Sequence, residues 1–257
     1  MSLSFKSRME ASAKKSGSNI VLALDLFHDD RKTLFENAMK IIEMTHQHIC
    51  AVKINRQLVL PLGLWGGVKK ILESTQDLQL PAIMDCKIND VGYTNLAIAK
   101  QYFEAGFDAV TASPFVGWED GLQPVFEISR KMNRGVIILV YMSHKGAWEG
   151  YGQNVYDPVK KQARPQYALF AEKALLWKAE GAVVGATYPE KISEVHKILG
   201  EAVPIYSPGV GAQGGDMEAA LKSGARYLIV GRSITHAPEP DKAAKAIWEA
   251  SRTFLNV

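Results

Sequence analysis

Residues 19–32 read NIVLALDLFHDDRK, with an unbroken apolar run over 20–25 that ends on a carboxylate, Asp25. A run without polar alternation suits a strand buried on both faces, as in a parallel sheet covered by helices. An open doubly wound sheet would place a glycine-rich turn directly after its first strand. Here the turn is LFHDDRK, which has no glycine, and this favours the other parallel architecture, a closed (β/α)8 TIM barrel.

Seven more runs of the same kind follow, over 49–54, 81–87, 108–113, 135–142, 182–187, 203–208 and 226–232. Between most of them lie segments of helical period, among them LFENAMKIIEMTHQ, TNLAIAKQYFEAG and GDMEAALKSGA. Several close on a glycine that can cap a helix C-terminus. Strand and helix alternating eight times, with right-handed crossovers, imply the α/β barrel. The chain has 257 residues, the usual length of one such barrel. The expectation is one domain over 1–257, with an extra helix at about 3–16 covering the barrel base.

Lys and Arg (30) nearly balance Asp and Glu (27), for a formal charge of +3, and no long run of like charge occurs. That gives no footprint for nucleic acid or a membrane surface and points to a small-molecule partner. Cys50 and Cys86 sit inside apolar runs with no second cysteine at metal-ligand spacing, so they read as reduced core thiols. The first residues lack the apolar core of a signal peptide, and no window approaches 18 uninterrupted apolar residues. The expected location is cytoplasmic. The six histidines are scattered or lie on a polar helix end. They read as surface groups, and no metal site is expected.

One connection is out of pattern. Residues 143–168, SHKGAWEGYGQNVYDPVKKQARPQYA, are long and punctuated by Gly and Pro. Trp148, Tyr151, Tyr156 and Tyr167 argue against a disordered insertion and for a segment that packs, as a lid or a subunit contact.

In a barrel, function gathers at the C-terminal strand ends. The first run ends in Asp25, the second carries Lys53, and the third carries Asp85 and Lys87 with Asp90 just beyond. The fifth leads to Ser143, the seventh into SPGVGAQGGD (207–216), and the eighth ends in Gly231 and Arg232. Asp85 and Lys87, at i and i+2, face the same side while Cys86 turns toward the helices. Such a pair at an effective dielectric near 20 is worth roughly 2–3 kcal/mol, enough to keep Lys87 protonated as a proton donor. An ion-pair network that merely closes the barrel top is the bland alternative. The glycines of 207–216 allow backbone N–H groups to approach an anion, and Arg232 adds a cationic fork. No cofactor motif or Schiff-base setting is visible.

Asp85-x-Lys87-x-x-Asp90-x-x-x-Thr94 resembles the signature of orotidine 5′-phosphate decarboxylase. Asp25 in LALD, Lys53 in AVKI, Ser143 in MSHKGA, the SPGVGAQGGD loop and Arg232 in VGRS fall in the family's order along essentially the whole chain. The resemblance implies that Lys87 protonates C6 of the pyrimidine as CO2 leaves, with Asp85 against the departing carboxylate. Lys53 and Asp90 would complete a Lys-Asp-Lys-Asp array, Asp90 reaching across a homodimer interface into the neighbouring site. Asp25, Lys53 and Thr94 would hold the ribose hydroxyls or the nearby phosphate region, and Ser143 the pyrimidine edge. Gln213 would bridge base and phosphate, and Gly231 with Arg232 would grip the phosphate. Pro208, Gly209, Val210 and Gly211 would line the substrate, with no cofactor or metal.

Two departures stand out: Gly92 where many members carry Pro, and the aromatic insertion after Ser143. Mg2+-dependent sugar-phosphate decarboxylases and aldolases share DxKxxD but carry a Glu metal ligand where this chain has Lys53, which would repel a divalent cation. A silent barrel that binds a nucleotide as sensor is the alternative of another class.

Overall fold

A computed structural model describes residues 3–254, so the ends of the expected 1–257 domain lie outside the described residues. The strands are β1 (Ile20–Ala23), β2 (Ala51–Asn55), β3 (Ala82–Ile88), β4 (Ala109–Ala112) and β5 (Gly135–Tyr141). They continue with β6 (Asn154–Asp157), β7 (Gln162–Pro165), β8 (Gly181–Val184), β9 (Ile205–Pro208) and β10 (Ala225–Val230). Eight of them close a parallel barrel in the order β1-β10-β9-β8-β5-β4-β3-β2. Each of the eight runs read from the sequence overlaps one of these strands; β2, β3, β8 and β10 each extend one residue beyond the expected run.

The barrel explains why the runs are apolar without alternation. Val21 and Ala23, Ile137 and Leu139, and Tyr227 and Ile229, each pair two residues apart, fill the interior. Their neighbours Ile20, Leu22, Ile138, Val140, Leu228 and Val230 pack in the layer between barrel and helices. Alternate side chains thus meet different cores, and both cores are apolar.

The helix Phe5–Ser16 closes the base as expected. Phe5 and Met9, one turn apart, are buried in the interior cluster. Ser12 Oγ donates to the Cys50 carbonyl at 2.7 Å. Arg8 and Arg134 meet Asp108 at 3.0 and 2.6 Å, and Asp108 also accepts the Ala82 N–H.

The segment 143–168 is ordered. It holds a short helix, Ala147–Gly150, and an antiparallel hairpin of β6 and β7. Arg164 ties the hairpin to the following helix, bridging Asp157 at 2.8 Å and Glu172 at 2.6 Å. Tyr151 packs against Phe115 and Phe170, and Tyr167 is buried, whereas Trp148 and Tyr156 are 63% and 66% exposed. His48 departs from the surface reading: it lies against Trp248, ring centroids 5.1 Å apart, with its Nδ1 buried. No helix among the described residues is long and apolar enough to cross a membrane.

Candidate active site

The strand ends of β1, β2 and β3 bring four charged groups into one chain of contacts. Lys53 Nζ lies 2.7 Å from Asp85 Oδ2 and 3.5 Å from Asp25 Oδ1, and Lys87 Nζ lies 2.8 Å from Asp85 Oδ1. Asn55, two residues beyond Lys53 on β2, donates to Asp25 Oδ1 at 2.7 Å. Burial alone would pull the Lys53 ammonium down and push the Asp85 carboxyl up. The mutual attraction wins in both. Lys53, facing Asp85 and Asp25, is raised above the ordinary lysine value. Asp85, between two ammonium groups, is held far below the ordinary carboxylate range. Cys86 points into the apolar layer, and desolvation pushes its thiol up to about 12, so it is no nucleophile at neutral pH.

Asp85 and Lys87 share the mouth, but not by regular pleating. The β3–β4 pairing shifts register between Met84 and Ile88, and Lys87 adopts φ +50°, a left-handed conformation that costs a non-glycine residue ~1–3 kcal/mol. Thr111 on β4 sits in the gap. Its Oγ1 accepts the Lys87 N–H at 2.9 Å and is 3.0 Å from Asp85 Oδ1.

These residues line a cleft of about 370 Å3. Leu139, Met142, Val183 and Ile229 supply apolar lining, and Ser143, Pro208, Gly209, Val210, Gln213, Gly231 and Arg232 also line the cleft. The glycine loop is held largely by its own hydrogen bonds. The N–H groups of Gly211, Gly214 and Gly215 bond inside the loop, to Gly215, Gly211 and Gly209 carbonyls. Ala212 N–H goes to Ser233 Oγ at 3.2 Å. These glycines fold the loop, and Arg232, from beyond β10, is the guanidinium lining the same cleft. Gly209 has a steric role: at φ +100°, a β-carbon there would lie 2.9 Å from Gln213 Oε1 and 3.0 Å from Ser143 Cβ. The missing side chain lets two cleft residues converge.

Asp90, Thr94 and Gly211 are not among the lining residues. Among the described residues, the exposed Asp90 carboxylate accepts only the adjacent Val91 N–H. Its backbone is pinned by the fully buried Asn95, which accepts Asp90 N–H at 3.0 Å and donates to the Asp90 and Gly121 carbonyls. Gly92 begins the helix Gly92–Ala105 with the Asp120 carbonyl pressed against it, 2.9 Å from where a β-carbon would stand.

Asn55, Gln57, Thr111 and the apolar lining were not anticipated from the sequence. Asn55 could have been, since it shares the strand face of Lys53. Thr111 could have been, as a hydroxyl near the end of an otherwise apolar run. Among the described residues, no group of three or more His, Cys, Asp or Glu side chains could hold a metal ion.

Comparison with known proteins gives consistent matches. The family described as Orotidine 5′-phosphate decarboxylase / HUMPS matches residues 18–247. The orotidine 5′-phosphate decarboxylase of Thermococcus kodakarensis is 38% identical over 232 residues, 90% of this chain and 96% of that one. A UMP synthase structure from Leishmania donovani superposes with a TM-score of 0.87 at 28% identity, over 98% of this chain and 57% of that one. The orotidine 5′-monophosphate decarboxylase of Methanocaldococcus jannaschii, complexed with the inhibitor BMP, gives 0.76 at 31% identity, over 93% and 99%.

Proposed function

The chain belongs to the orotidine 5′-phosphate decarboxylase / HUMPS family, and we propose that it converts orotidine 5′-phosphate to UMP with Lys87 as proton donor. The observation that carries this reading is the pair of ammonium groups, Lys53 and Lys87, held on opposite oxygens of Asp85 in the cleft that Arg232 also lines.

Breaking the C6–CO2 bond leaves the electron pair in an sp2 orbital at C6, with no adjacent carbonyl to delocalise it. Stabilisation has to come from charge already in place. The Lys87 ammonium faces that carbon, gives it a proton as CO2 departs, and regains one from solvent. Asp85 lies against the leaving carboxylate, and Lys53 compensates Asp85. A single ion pair supplies a few kcal/mol, whereas large accelerations need ~20 kcal/mol. Binding of the remote phosphate by Arg232 and Gly231, and of the base by Ser143 and Gln213, therefore contributes by ordering the site. Pro208, Gly209 and Val210 line the nucleotide, and Asp25, which lines the cleft as Thr94 does not, serves the ribose. The Lys53 ammonium occupies the space between Asp25 and Asp85, where a divalent cation would otherwise sit, which favours this reaction over a Mg2+-dependent one.

Asp90 completes the array in a partner's site. The connections after β1, β2, β3 and β4 each expose large apolar side chains: Phe27, Leu60 and Trp65, Val91 and Tyr93, and Phe115. Such residues on four connections that follow adjacent strands, Asp90 among them, fit a homodimer interface.

Absorbance loss on mixing the protein with orotidine 5′-phosphate in the presence of a chelator tests the reading. UMP binding without turnover would instead identify a sensor.

A further inference from the structure

Every residue assigned above either reaches the substrate or carries charge in the cleft, yet the conformation of the proposed proton donor depends on a neutral side chain on another strand. The β3–β4 ladder breaks between Met84 and Ile88; pairing resumes where Ser113 N–H meets the Ile88 carbonyl. Inside the break Lys87 stands at φ +50°, and its N–H has no strand carbonyl. It goes to Thr111 Oγ1 at 2.9 Å. A hydroxyl has one proton and two lone pairs. With a lone pair committed to the Lys87 N–H, and an ionised carboxylate able only to accept, the single Thr111 proton points at Asp85 Oδ1, 3.0 Å away.

We propose that Thr111 is a positioning residue for the decarboxylation: its hydroxyl couples the Lys87 backbone to the Asp85 carboxylate and so fixes where the Lys87 ammonium stands. The inference rests on the role proposed for Lys87. The same Oδ1 that accepts from Thr111 also accepts from Lys87 Nζ at 2.8 Å, so the two ends of Lys87, backbone and ammonium, are tied through one hydroxyl and one oxygen. Thr111 is 3% exposed, and water cannot readily replace it. Valine matches threonine in shape but offers the Lys87 N–H no acceptor. The left-handed conformation then loses what sustains it, and the lysine relaxes toward the extended region.

The test compares wild type, Thr111→Val, Thr111→Ser, Thr111→Ala and Lys87→Ala in steady-state decarboxylation of orotidine 5′-phosphate, with UMP dissociation constants and thermal melts. Thr111→Val is expected to lose about 10–100-fold in kcat, the scale of a small misplacement of a reacting group. KM and the UMP dissociation constant should stay within about threefold, because ground-state contacts are unchanged. Thr111→Ser should recover most of the loss. If Thr111→Val does not fold, the order of kcat between Thr111→Ser and Thr111→Ala decides, serine being the faster. Wild-type kcat in Thr111→Val, or serine no better than alanine, overturns the proposal. Wild type without turnover, or an active Lys87→Ala, overturns instead the reading on which it rests.

Discussion

The Lys53 ammonium lies 2.7 Å from the Asp85 carboxylate, with only 6% and 13% of the two side chains exposed. A buried pair gives little net stability while intact, but removing one partner strands the other charge away from water. In Asp85→Asn, Lys53 keeps only Asp25, at 3.5 Å, and faces Lys87 across a neutral amide. The expected loss is about 3–5 kcal/mol of folding stability, read as a lower urea midpoint at unchanged slope. A variant as stable as wild type would mean that water or an anion already compensates Lys53.

The same pair sets a pH window. Asp85 is held below the ordinary carboxylate range in the folded chain, so its contribution is present above the unfolded value and is lost as pH falls. The loss begins below about pH 5 and continues well into acid. Lys53 is raised above the ordinary 10.5, so its contribution is intact below that value and disappears only as pH rises past the folded one. Stability from this site is therefore flat across neutral pH. Denaturant titrations between about pH 2 and 5 should show a shallower acid decline in Asp85→Asn than in wild type.

The barrel and the charged floor were legible in the sequence because both follow from local rules. Strands buried on two faces leave unbroken apolar runs, and Lys53, Asp85 and Lys87 interrupt those runs only at their C-terminal ends. What was not legible depends on contacts between strands. The register shift opposite Lys87 and the Thr111 hydroxyl that fills it arise from the pairing of β3 with β4, which no single run encodes. The internal bonding of the loop at 207–216 was hidden for a related reason: counting glycines does not reveal that the N–H groups of Gly211, Gly214 and Gly215 bond to carbonyls of the same loop. The hairpin at 154–165 was hidden because its strands are short and polar, and a salt-bridge network rather than a core holds them to the next helix.

Arg232 lines the cleft, and in the proposed function it holds the phosphate, which is remote from the bond that breaks. If its phosphate contact serves to order the site, removing either partner of that contact should lower kcat as well as raise KM. Arg232→Ala is expected to lose about 100-fold or more in kcat/KM, the scale of a charge-assisted bidentate contact. The unphosphorylated nucleoside should be turned over poorly by wild type and show little further loss in Arg232→Ala. Equal losses on both substrates would assign Arg232 to folding rather than to the phosphate.

Asp90 and Lys87 belong to one motif, yet Lys87 turns into the cleft while the Asp90 carboxylate, among the described residues, accepts only its neighbour's N–H, beside Val91 and Tyr93, which are 64% and 87% exposed. If Asp90 serves the partner's site, Lys87→Ala and Asp90→Ala each inactivate a homodimer by different routes. Mixed dimers of the two variants contain one site with both substitutions and one with neither. Unfolding and refolding an equimolar mixture should therefore restore about a quarter of wild-type turnover, because half the dimers are mixed and each has one intact site. Tyr93→Asp, which places charge on the apolar surface, should abolish the restoration and shift the sedimentation coefficient toward the monomer. Activity that never returns on mixing, from variants that refold and dimerise, would place Asp90 in its own chain's site.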